Sequence, residues 1–122
     1  MGQLSSQPQQ KSDGKVDTVK SKDDWDRRLQ NSKTSNKLMV IDFSASWCGP
    51  SLFMDPVVQE LANEFQDVDI IKIDIDDFSG VAEEHEVKAI PTFLLLKKGK
   101  ERDRVVGVKK DELHRAIEKL RS

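Results

Sequence analysis

Apolar residues recur along this chain at every second position, then at every third or fourth, and the two periods trade places several times. Residues 16–19 read as a first short strand. Ser21 followed by Lys22-Asp23-Asp24 offers a hydroxyl cap with acids in the first turn, predicting a helix that buries Trp25 and Leu29 and ends near Asn31. Residues 38–43 are an apolar run broken only by Asp42, the pattern of a central strand covered on both faces. Met54, Val57, Val58, Leu61 and Phe65 then recur at helical spacing, with Pro56 inside the pattern where a kink is expected. A second buried strand is predicted over 69–74, and 79–85 is long enough for two helical turns. Residues 93–96 and 104–106 flank the turn Lys97-Lys98-Gly99-Lys100 and read as a hairpin. A last helix starts near Lys110 and buries Leu113, Ala116, Ile117 and Leu120. Strands alternate with helices and then pair locally, which predicts an α/β architecture with a mixed sheet and helices on both sides.

The first fifteen residues break this pattern. Rich in Gln, Ser and Lys, they offer only Met1 and Leu4 for burial, so 1–15 is expected to be a disordered extension of a single domain over 16–122. Met1-Gly2-Gln3-Leu4-Ser5-Ser6 matches the pattern that directs myristate to Gly2. Without a neighbouring cysteine, and with Lys11, Lys15, Lys20 and Lys22 offset by Asp13 and Asp17, one acyl chain predicts weak, reversible membrane contact. No secretory signal or spanning segment is present, and a single cysteine fits a reducing compartment, so the expected location is cytoplasmic. With 20 basic against 22 acidic residues, no strong field is present to attract nucleic acid. The expected state is a monomer.

Cys48, the only cysteine, lies in Trp47-Cys48-Gly49-Pro50-Ser51 between the predicted strand and helix. Backbone N–H groups and the positive end of the helix dipole favour negative charge there, and so a nucleophilic sulfur. Gly49 leaves the approach open, and Pro50 is tolerated where a first-turn N–H would be unpaired anyway. Ser51 stands where a second thiol would close a disulfide. Its hydroxyl can donate to the thiolate but cannot attack a disulfide, so a mixed disulfide on Cys48 must be released by another molecule's thiol. Trp47 is read as an exposed apolar platform beside the sulfur. The backbone at Ile90 and Pro91 is read as an edge on which an extended client can pair. Asp42 must be desolvated, which raises its pKa, and it can be retained as a buried group serving hydration and local hydrogen bonding. His85, His114 and the charged stretches 83–86 and 97–104 are read as solvated surface. No metal site is expected.

Val40-Ile41-Asp42-Phe43, Ala45-Ser46-Trp47-Cys48-Gly49-Pro50, Pro56, Lys72-Ile73-Asp74, Ala89-Ile90-Pro91-Thr92-Phe93, Gly99 and Val106-Gly107 follow one another along the chain. In these ordered marks the chain resembles the thioredoxin family, most closely the plant h-type members and their monothiol relatives. The resemblance implies the thioredoxin fold, a central mixed five-stranded sheet flanked by four helices, with a reactive Cys48 facing a cis peptide before Pro91. It also implies a proton-moving role for Asp42 with Lys72 close by. Ser51, and Leu52 where dithiol members usually carry Lys or Arg, depart from the pattern. The function expected is therefore monothiol thiol–disulfide exchange through Cys48, giving disulfide isomerisation or glutathione-dependent reduction and deglutathionylation. It needs no tightly bound cofactor. Glutathione serves as co-substrate, and the clients are proteins with disulfides or glutathionylated cysteines. The alternatives are a dithiol reductase whose resolving cysteine has been replaced by Ser51 as a trap, a client-binding module without turnover and, ranked below these, a glutathione-assisted iron–sulfur carrier.

Overall fold

The computed structural model describes residues 14–122. The Gly2 acylation signal and most of the expected tail lie outside the described residues. Strands β1 (Val16–Thr18), β2 (Met39–Ser44), β3 (Asp69–Asp74), β4 (Thr92–Lys97) and β5 (Lys100–Val106) form one sheet in the order β1-β3-β2-β4-β5. The first three run parallel, and β4 and β5 add antiparallel. Between them lie α1 (Lys22–Ser32), α2 (Gly49–Glu64), α3 (Ser79–Glu84) and α4 (Lys110–Leu120). This is the mixed five-stranded sheet with four helices that the alternating pattern predicts.

Each face of the sheet carries its own core. Leu38, Val40, Ile70, Phe93 and Leu95 pack under α2 and α4 through Met54, Val58, Leu61, Leu113 and Ile117. On the other face, Met39, Ile41, Phe43, Ile71 and Leu94 meet Trp25 of α1 and Val81 of α3. Every residue of β2 is buried, as its unbroken apolar run requires. Each fully buried large side chain of this set contributes roughly 1.5–3 kcal/mol relative to exposure. Ser21 caps α1 by accepting from the Asp24 N–H at 3.0 Å. The β4–β5 turn has Lys98 at φ 54° and Gly99 at φ 77°, the two left-handed residues of a tight hairpin. α2 runs on through Pro56, whose missing N–H removes one rung of its ladder.

Three surface readings need correction. His85 is half-buried, edge-on to Trp25 with ring centroids 5.6 Å apart, and its Nδ1 lies 3.0 Å from the Val81 carbonyl. His114 packs on Phe65 at 5.1 Å and pairs with Glu64 at 3.0 Å. Within the stretch read as solvated, Arg104 donates to the His85 carbonyl at 2.7 Å and the Glu86 carbonyl at 3.0 Å while paired to Glu101. It thereby caps α3, which ends in a left-handed Glu86 with the Val87 N–H donating to the Ala82 carbonyl at 2.9 Å. Arg104 thus ties β5 to the end of the helix preceding Ile90. Arg104→Ala should lower the urea midpoint with an unchanged m-value, at a cost of about 1–3 kcal/mol.

Candidate active site

The site forms where β2 and β3 end together, the edge of a parallel sheet at which ligands usually bind. Leaving β2, the chain turns so that the Cys48 N–H donates to the Ala45 carbonyl at 3.1 Å, and Cys48 becomes the N-cap of α2. The half-exposed sulfur therefore sits at the positive end of the α2 backbone dipole. Gly49 and Pro50 form the exposed first turn, and a Cβ at Gly49 would meet no atom within 4 Å, so the space there is open.

Three loops converge on this cap. Trp47 is 66% exposed and is held as a platform by its indole N–H, which donates to Asp76 at 2.8 Å. Asp76 is placed by the turn after β3, where its own N–H donates to the Asp74 carboxylate at 2.8 Å. The Cys48 thiol points at the Ile90 carbonyl, 4.0 Å away, and the Ile90–Pro91 peptide is cis. Pro91 is itself buried, its carbonyl accepting from the Gly107 N–H at 2.8 Å, so the accessible edge lies at Ile90 and not at the proline ring. Among the described residues, the Ile90 N–H donates to no other backbone group. Leu52 and Phe53, 52% and 62% exposed, extend the apolar surface along α2.

Ser51 departs from expectation. It is only 3% exposed, and its Oγ has no hydrogen-bond partner, so the bond its hydroxyl could donate to the sulfur is not made. The cause is helical phase: Ser51 shares the sheet-facing side of α2 with Met54 and Val58, whereas Cys48 caps the helix above that face.

Asp42 is 2% exposed, and its Oδ1 is likewise unpartnered. Burial pushes its carboxyl up to about 7, with Lys72 pulling it down and Asp55 pushing it further up. Lys72 is the registered neighbour of Asp42 on β3, but its ammonium donates to Asp55 of α2 at 2.8 Å. A cleft lined by Val16, Thr18, Asp42, Asp55, Val58, Gln59 and Lys72 connects this group to the surface. The family resemblance implies Lys72 near Asp42, whereas neither the resemblance nor the residue pattern points to Asp55 or Asp76. Asp55 carried one local signal, its position four residues after Ser51 on α2. Among the described residues no group of His, Cys, Asp or Glu side chains is arranged to hold a metal ion.

A model of the family described as Thioredoxin matches residues 16–119. Thioredoxin H2 of Arabidopsis thaliana is 49% identical over 98 residues, covering 80% of this chain and 74% of its own. Thioredoxin H2-1 of Oryza sativa subsp. japonica is 49% identical over 107 residues, covering 88% and 78%. Among solved structures, thioredoxin NaTrxh of Nicotiana alata superposes with a TM-score of 0.88 at 48% identity, over 98% of this chain and 100% of its own. A wild-type poplar thioredoxin h superposes with a TM-score of 0.81 at 35% identity, over 87% and 96%.

Proposed function

The chain belongs to the thioredoxin family, whose members are thiol–disulfide oxidoreductases acting on disulfide-containing client proteins, and we propose that it performs this exchange with one thiol. The observation that carries this reading is the pairing of a half-exposed Cys48, the only cysteine, with a buried serine at position 51. The Cys48 thiolate attacks a client disulfide or a glutathionylated cysteine. A new S–S bond forms at Sγ, and the displaced client sulfur leaves with the electron pair as thiolate. Trp47, Gly49 and Pro50 form the open floor on which the client lies, and the backbone at Ile90, before Pro91, pairs with its extended chain.

A second thiolate then releases the enzyme. If it belongs to the client, the product is a rearranged disulfide. In deglutathionylation Cys48 has taken over the glutathione sulfur, and one further glutathione frees it as glutathione disulfide; reduction of a client disulfide consumes two glutathiones, the first displacing the client thiolate from Cys48 and the second releasing Cys48 as glutathione disulfide forms. Glutathione is thus the co-substrate, and no bound cofactor is needed. Ser51 contributes a hydroxyl that cannot resolve the intermediate, and Asp42 contributes a buried acid whose charge depends on pH near neutrality. Myristate on Gly2 would bring a cytoplasmic monomer reversibly to membrane surfaces.

The test is turnover of a glutathionylated peptide and of a scrambled-disulfide protein in glutathione buffer. Turnover should proceed without NADPH or thioredoxin reductase and vanish in Cys48→Ser. If the unaltered protein binds these substrates but turns over neither, and Cys48→Ser binds them equally well, a client-binding module is the better reading.

A further inference from the structure

Three ionisable side chains meet below the α2 N-terminus: Asp42 on β2, Lys72 on β3 and Asp55 on α2. Asp42 and Lys72 are cross-strand neighbours in a parallel pair, the arrangement that ordinarily joins acid to base. Here the ammonium turns away. Lys72 Nζ lies 2.8 Å from Asp55 Oδ1, and these two side chains are 31% and 38% exposed, whereas Asp42 is buried with its Oδ1 unpartnered. An ion pair at the rim loses less hydration than one formed at Asp42 would. Among the described residues no other charged side chain lines this cleft, and the residue paired to Asp42 on its other flank is Phe93 of β4.

We propose that Asp55 is a positioning residue for exchange at Cys48: by holding Lys72 at the rim it keeps the ammonium from pairing directly with Asp42 and so favours the neutral form of that buried carboxyl. The proposal rests on the reading that Cys48 turns over. It serves the release step, in which an external thiolate forms a bond to the sulfur held on Cys48, the bond to Cys48 Sγ breaks, and Sγ leaves with the electron pair. Asp42 lies on β2, the strand that leads into the turn carrying Cys48; kept neutral, it adds no negative charge to the core behind the departing thiolate, whereas an ionised Asp42 opposes that charge. The Asp42 proton stays in place through the step, so no further donor or acceptor is consumed. Without the Asp55 carboxylate, Lys72 is free to turn inward and the negative charge moves from the rim to the interior.

The experiment follows the Asp42 side-chain carboxyl by carbon NMR across pH in the full chain, with Asp42→Asn to assign the signal, alongside the pH profile of glutathione-dependent turnover. In Asp55→Asn the Asp42 midpoint should fall by about one pH unit. The profile's inflection should fall with it and be absent from Asp42→Asn. In a Lys72→Met background, Asp55→Asn should move the midpoint much less, because no ammonium remains to turn inward. Asp55→Ser gives the same test if the asparagine variant folds poorly. A midpoint that stays or rises, an equal fall in both backgrounds, or a midpoint that moves while the inflection does not would each overturn the proposal. Absence of Cys48-dependent turnover in the unaltered protein would overturn the exchange reading and this role with it. The carboxyl titration would still report whether Asp55 governs Asp42, so the two failures are told apart.

Discussion

Ser51→Cys is expected to turn a glutathione-dependent protein into a substrate of thioredoxin reductase. The introduced thiol would stand three residues after Cys48 in the first turn of α2, and residues so spaced on a helix have Cβ atoms about 5–6 Å apart, close enough for local adjustment to close a disulfide. Resolution then becomes intramolecular. A neighbouring thiol acts at an effective concentration far above that of free glutathione, so client release should accelerate on the order of a hundredfold or more. The measurement is NADPH oxidation with thioredoxin reductase and an insulin-like disulfide, which should be at background for the unaltered chain. In the absence of glutathione the unaltered chain should instead accumulate client-linked mixed disulfides through Cys48. A variant that shows neither reductase-linked turnover nor an internal disulfide would mean that position 51 is not placed to resolve Cys48. Stability should change as well. The Ser51 hydroxyl is buried without a partner, and replacing it with a weakly polar thiol removes a desolvation cost of about 1–2 kcal/mol.

The residues that act locally were the ones legible in the sequence. Cys48, Gly49 and Pro50 announce themselves because a strand end, a turn and a helix start lie within a few residues of one another. β2 was legible for a similar reason, since burial on both faces leaves an unbroken apolar run. β5 was recognised only from Arg104 because 100–103 are all charged and exposed, and backbone pairing to β4 rather than side-chain pattern makes them a strand. What stayed hidden is non-local. Trp47 and Asp76 are 29 residues apart, Asp55 and Lys72 are 17 apart, and His85 and Arg104 are 19 apart; no periodicity links such pairs. The orphaned Ser51 hydroxyl was likewise a matter of helical phase. A residue beside a nucleophile in sequence reads as its partner until the buried face of the helix is known.

Asp42→Asn should stabilise the fold, and by more at pH 8 than at pH 4. The folded chain holds the Asp42 proton up to about pH 7, against an ordinary carboxyl value of 3.8. Between those values the unfolded chain has released a proton that the folded chain retains. Stability of the unaltered protein therefore falls as pH rises through that window and levels off above about 7. A separation of roughly three pH units corresponds to at most about 4 kcal/mol, and relaxation around the buried charge reduces it. Asparagine keeps the size of the side chain and cannot ionise, so its stability curve should lack this slope. Urea midpoints of both proteins at pH 4, 6 and 8 measure the gap, which should widen with pH. A gap that is constant across pH would mean that Asp42 does not ionise in this window, and its role in exchange would then have to be polar rather than electrostatic. If the gap widens while turnover loses its inflection near pH 7, the same buried carboxyl both weakens the fold and sets the pH dependence of Cys48 chemistry.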